Sequence, residues 1–233
     1  MSSRPPPLRI VLLGTGTSVG KTWVACELLR ELARRGLASL GLKPAESGVT
    51  PNATTDAERL AQLSAWAPAD PPYRFPEAVS PHLAARLSGH PIVLDTLLTY
   101  VQLQESSSPP RALNAVVVET AGGLFSPLAD ALTNFDFARA LDPAIWVLVA
   151  PDALGVIHDV TATLLASAAR GRSPDLVVLS AAREPDASTG TNAAELQSLG
   201  LVPRPFSLSR DNPAQMGSLV DALLATAPSA PKR

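Results

Sequence analysis

Gly14-Thr15-Gly16-Thr17-Ser18-Val19-Gly20-Lys21-Thr22 lies between a mainly apolar run, Leu8 to Leu13, and a helix-patterned segment that begins at Thr22. A glycine-rich turn between a strand and a helix aims successive backbone N–H groups and the positive helix end at one small volume, which suits a polyphosphate. Gly16, Ser18, Val19 and Gly20 would supply those N–H groups. Lys21 would add a mobile cation for the terminal phosphate oxygens, and the Thr22 hydroxyl is short enough to ligate Mg²⁺. The usual spacing puts a glycine six residues before the lysine, where this chain has Thr15, so Gly14 must take that place. The stretch reads as a nucleotide site.

The flanks extend this reading. Leu8 to Leu13 has the character of a strand covered on both faces, as in a parallel sheet between helix layers. Ala25, Leu28, Leu29, Leu32 and Ala33 recur at helical spacing up to Gly36, and Leu37 to Leu42 returns as a second strand. That strand ends at Lys43-Pro44, which puts the lysine at the carboxyl edge where ligands gather. Glu46 to Thr54 reads as a surface loop, and Thr55 with Glu58 as a capping box opening a helix to about Trp66. Proline-rich residues 67–76 read as a connection. Ser80-Pro81 begins another helix with a capping hydroxyl, and a further helix follows from about Leu94 to Gln104. Asn114 to Glu119 is a buried strand ending in an acid. Residues 144–150, 176–181 and 201–206 are further strands, alternating with helices near 134–141, 156–170, 192–199 and 213–226. The pattern predicts an α/β, doubly wound, mostly parallel sheet in a single domain over residues 8–226. Residues 1–7 and 227–233 are expected to be flexible.

Composition narrows the function classes. Nineteen basic against 21 acidic residues give a net charge of −2, with no basic block to track a nucleic-acid backbone. The N-terminal apolar run is too short for a signal h-region or a membrane span. A cytoplasmic protein is expected, with no nucleic-acid or membrane partner. Cys26 is the only cysteine, which excludes an internal disulfide, and it reads as a small buried side chain. Trp23, Trp66 and Trp146 lie in patterned elements and read as packing residues.

The chemistry depends on a set of residues taken together. A hard cation bridging phosphates needs hydroxyl and carboxylate oxygens from separate strand ends, and Thr22, Asp56 and Glu119 can supply them. Lys43 is a second cation at the same edge. GTGTSVGKT, then KPAESG at 43–48, TDA at 55–57, SPH at 80–82 and VETAGGLFSPLAD at 118–130 resemble, in order and spacing, the dethiobiotin synthetases.

The resemblance implies a P-loop fold and an ATP-dependent ligase that joins CO₂ to 7,8-diaminopelargonate, with ATP as co-substrate and Mg²⁺ as cofactor. It implies Lys21, Lys43, Thr17 and Ser47 as catalytic groups, and Ala121, Gly122 and Gly123 as backbone contacts to substrate. It further implies a homodimer, with the substrate carboxylate held at the other subunit's helix start, Gly155-Val156-Ile157-His158.

Four departures from the family pattern stand out. Gly16 and Ser18 replace acids, Thr120 replaces a glycine, and His158-Asp159 replaces an Asn-His pair. Ser180 stands where the family reads adenine with asparagine. Serine offers one rotating hydroxyl in place of an amide fork, so relaxed base preference is expected. Two other readings remain open: a ParA/MinD-like ATPase switch, and a degenerate paralogue that binds nucleotide without turnover.

Overall fold

The computed structural model describes residues 6–107, 112–212 and 214–226. The expectations for residues 1–5, 213 and 227–233 lie outside these. In chain order the elements are β1 (Leu8–Gly14), α1 (Lys21–Arg34), β2 (Ser39–Leu42), β3 (Ala45–Ser47), α2 (Asp56–Leu63), β4 (Tyr73–Phe75), α3 (Pro81–Ser88), α4 (Leu94–Ser106) and β5 (Ala115–Glu119). They continue with β6 (Pro127–Ala129), β7 (Leu132–Thr133), α5 (Asn134–Ala140), β8 (Ile145–Pro151), α6 (Val156–Ala169), β9 (Leu176–Ser180), α7 (Asn192–Ser198), β10 (Phe206–Ser207) and α8 (Ala214–Thr226).

The main sheet is parallel throughout, in the order β10-β9-β8-β1-β5-β2. Its centre is β1, where Ile10, Val11, Leu12 and Leu13 are fully buried. Alternate residues of a strand point to opposite faces, and here they feed two apolar layers. Ile10 and Leu12 pack with α1, α2 and α8 through Leu28, Leu60 and Leu219. Val11 and Leu13 pack with α4, α5, α6 and α7 through Leu97, Phe135, Val160 and Leu196. This is the doubly wound sheet that the alternating pattern predicts. In register, Leu12 pairs with Glu119 and Gly14 with Val149, so the glycine loop, the acid ending β5 and the end of β8 share one edge.

Several boundaries differ from expectation. Residues 46–54 are not wholly a loop, and 67–76 are not wholly a connection: β3 and β4 pair in a small parallel sheet, Ala45 opposite Tyr73. β6 and β7 form an antiparallel hairpin that sequence periodicity missed. The last strand is Phe206–Ser207, not 201–206, and α2 stops at Leu63 because the backbone turns extended at Ser64, φ −75° and ψ 151°. Ser80 precedes α3 as expected, but its hydroxyl pairs with His82 Nδ1 at 2.9 Å instead of capping the backbone. The capping box of Thr55 and Glu58 is present.

Candidate active site

The glycine loop is a rigid cradle. Thr15 N donates to Val149 O at 3.0 Å and Leu124 N to Gly14 O at 2.7 Å, tying it to β8 and to the turn after β5. Gly14 has no room for a side chain: a Cβ there would lie 2.7 Å from Gly16 O and 2.9 Å from Lys21 Nζ. It therefore fills the role of the displaced motif glycine. Gly20, at φ 91°, adopts a backbone that disfavours other residues, and a Cβ would strike the Ser180 hydroxyl at 2.5 Å. Lys21 is buried and donates to Gly16 O at 3.1 Å. Burial lowers its pKa to about 8, against the attraction of Glu119.

The second cation sits among acids. Lys43 Nζ donates to Asp56 Oδ2 and, at 2.9 Å, to Glu119 Oε1. Burial pulls the Lys43 ammonium down, but the charges of Glu119 and Asp56 outweigh it and raise its pKa. Burial opposes ionisation of Asp56, yet Lys43 holds its carboxyl below the usual range. Thr22 Oγ1 donates to Glu119 Oε1 at 2.8 Å, while Glu119 Oε2 is buried with no hydrogen-bond partner. An orphaned carboxylate oxygen beside a hydroxyl and a second carboxylate is a donor set that fits a hard divalent cation.

These groups open onto one cleft of about 1230 Å³, above the range typical of a single small-ligand pocket. Thr17, Ser18, Val19, Gly20, Lys21, Thr22, Lys43, Ser47, Asp56, Glu119, Ala121, Gly122 and Ser180 all line it. Gly16 stands behind, offering its carbonyl to Lys21. Gly123 packs against the loop, where a Cβ would lie 3.2 Å from Thr15 O. Ser47 Oγ donates to Val79 O at 2.6 Å.

Gly155, Val156, Ile157 and His158 do not line this chain's cleft; they open α6, with Gly155 and His158 exposed. Thr120 is buried and donates to Leu12 O at 2.9 Å, so its added side chain takes no room from the cleft. Ser180 donates to Val19 O at 2.6 Å and is 1% exposed, which commits its hydroxyl hydrogen to the loop.

Three polar residues that the sequence did not single out shape the site. Glu46 accepts from Asp56 N at 2.8 Å, fixing the start of α2 and with it the Asp56 carboxylate. Asn134 donates to Ala121 O at 2.6 Å and Gly123 O at 2.8 Å, clamping the turn after β5. Asp152 accepts from Asn192 Nδ2 at 2.7 Å and Gly190 N at 3.0 Å, anchoring the loop that leads to α6.

A family model described as an AAA domain matches residues 9–211. The ATP-dependent dethiobiotin synthetase of Anaeromyxobacter dehalogenans (strain 2CP-1) is 39% identical over 194 residues, covering 82% of this chain and 84% of its own. That of Caulobacter vibrioides (strain NA1000) is 35% identical over 230 residues, covering 93% of this chain and 99% of its own. Among solved structures, chloroplast FtsY from Physcomitrella patens aligns with a TM-score of 0.48 at 17% identity, covering 96% of this chain and 67% of that one. By the family model and the extent of the likeness to the two synthetases, the chain belongs to the ATP-dependent dethiobiotin synthetases, P-loop ligases of biotin biosynthesis.

Proposed function

We propose that this protein closes the ureido ring of dethiobiotin from 7,8-diaminopelargonate and CO₂ at the expense of ATP. One amine captures CO₂ as a carbamate. The carbamate oxygen attacks the γ-phosphate to give a carbamic-phosphoric anhydride, and the second amine displaces phosphate as the ring closes. The observation that carries the reading is the convergence of Lys21 and Lys43 with Thr22, Asp56 and Glu119 on a cleft roomy enough for a nucleotide and a second substrate.

Little covalent work falls to the protein. Its residues bring anionic pieces together and stabilise charge on the transferring phosphoryl group. Lys21 would face the β- and γ-phosphates from inside the loop, with the backbone of Gly16 to Gly20 around it. Lys43 and Ser47 would hold the carbamate, and Thr17 with Ala121, Gly122 and Gly123 the rest of the diamine. Mg²⁺ held by Thr22, Asp56 and Glu119 would supply positive charge between the phosphates. The carboxylate of the substrate would reach the first turn of α6 on a second copy, since Gly155 to His158 lie outside this chain's cleft.

Base preference is expected to be relaxed. Ser180, with its hydroxyl donated to Val19 O, has no amide fork to match an adenine edge. ATP, CTP and GTP should therefore support turnover within a hundredfold of one another, and a wider gap in favour of ATP rejects this part. The main test supplies 7,8-diaminopelargonate, bicarbonate, Mg²⁺ and ATP and follows dethiobiotin by mass spectrometry. Product at the expected mass supports the reading. Nucleotide binding with no product overturns it in favour of a paralogue without synthetase activity.

A further inference from the structure

Two residues at the nucleotide side of the cleft have no part in the chemistry above. Trp23 follows Thr22 in the first turn of α1, and Arg210 lies on the segment between β10 and α8. Both line the cleft, and the Arg210 guanidinium sits over the Trp23 ring, 5.2 Å from its centroid. Trp23 is half-buried and packs against the apolar layer shared by α1 and α8, so its ring is held in place. Arg210 is exposed, and no hydrogen bond or ion pair engages its side chain among those described. A guanidinium resting on an indole is planar, charged and open on its outer side.

The polar alternatives near this end are few. Ser180 is committed to Val19 O, and the next two residues are Ala181 and Ala182, which carry only methyls. Of the next cleft-lining side chains, both exposed, Arg183 only donates and Glu184, when ionised, only accepts, so neither pairs a donor with an acceptor as an amide does.

Resting on the nucleotide reading of the loop, we propose that Trp23 and Arg210 form a stacking platform for the base, in the order indole, guanidinium, base. Every base has a π-face, so such a platform grips without regard to base identity. It would replace edge reading by an amide with a contact common to purines and pyrimidines. The separation of 5.2 Å leaves no space for a base between the two residues, which puts the base on the outer face of Arg210.

The test measures Kd for ATP, CTP and GTP by calorimetry on the wild type, Arg210→Ala, Arg210→Lys and Glu184→Gln. The expected result is a weakening of about tenfold for all three nucleotides in Arg210→Ala, the scale of one lost stacking contact. Arg210→Lys should weaken binding to the same degree, because lysine keeps the charge but not the plane. Glu184→Gln should leave the ratios among nucleotides as they are. Wild-type affinity in Arg210→Ala, or restoration by Arg210→Lys, overturns the platform. So does a loss confined to one nucleotide, or a change of base ratios in Glu184→Gln. A wild type that binds none of the three instead overturns the nucleotide reading beneath it.

Discussion

At the residue scale the site is a balance of buried charge. Two lysines and two carboxylates lie at one sheet edge, and each removal leaves a different imbalance. Lys21→Ala removes the cation proposed to face the phosphates, and turnover should fall by about a hundredfold or more, the scale of one preorganised stabiliser; near-wild-type turnover in a steady-state assay rejects its assigned role. Lys43 acts differently, because it bridges Asp56 and Glu119. Breaking a buried pair costs about 3–5 kcal/mol, and the partial exposure of Asp56 puts this one toward the lower end. Lys43→Ala should thus unfold at a lower temperature and recover much of the loss on addition of Mg²⁺, which can neutralise the same carboxylates. A thermal midpoint that ignores Mg²⁺ rejects Asp56 and Glu119 as a cation site. Lys21, Lys43, Asp56 and Glu119 were legible in the sequence because each follows a buried strand or opens a helix. Glu46, Asn134 and Asp152 were not, since they act on backbone groups that only the tertiary fold brings to them.

At the scale of elements, what the sequence revealed depended on length. β1, β5, β8 and β9 run five to seven residues and carry their apolar signal inside themselves. β3, β4, β6, β7 and β10 are two or three residues long, too short for any period to register, and owe their existence to neighbours that sequence cannot see. The segment 67–76 illustrates the point: its prolines read correctly as a break, yet Tyr73 and Phe75 point inward and pair beside β3. That segment is tied to α4 by two side chains, with Tyr100 donating to Ala69 O at 2.9 Å and Gln104 accepting from Ala69 N at 3.0 Å. Burial, with a smaller push from Asp70, raises the Tyr100 phenol to about 12. In the unfolded chain it ionises near 10, so between these values the unfolded state holds fewer protons than the folded one, and stability falls as pH rises. The expected loss is about 1–2 kcal/mol from pH 10 to 12. Urea unfolding of Tyr100→Phe should start lower by about 1 kcal/mol for the lost hydrogen bond and show a flatter decline over that pH range. A wild-type slope in the variant would mean that another group carries it.

At the scale of the whole molecule, one surface is not accounted for by a single chain. α6 buries only Val156, Val160 and Ser167. Ala162, Leu165, Ala166 and Ala169 recur at helical spacing on its exposed side, with Leu165 67% exposed and Leu154, just before the helix, 85% exposed. The loop carrying Leu154 is not loose, because its N–H donates to Asp186 Oδ2 at 2.8 Å and Asp152 is anchored beside it. A fixed apolar stripe of this kind matches a helix-to-helix contact between copies. The stripe also begins at Gly155 to His158, the residues proposed to hold the substrate carboxylate, which this chain's cleft lacks. One contact would thus bury the exposed leucines and complete both sites. Leu165→Asp places a charge in that contact while leaving the monomer core untouched. It should shift the protein from dimer to monomer in sedimentation velocity, and raise KM for 7,8-diaminopelargonate far more than KM for ATP, because the proposed nucleotide groups all line or stand behind one chain's cleft. A wild type that sediments as a monomer at assay concentrations and still turns over rejects the shared site. Equal rises in both constants would place the defect in the fold, not in the partner's contribution.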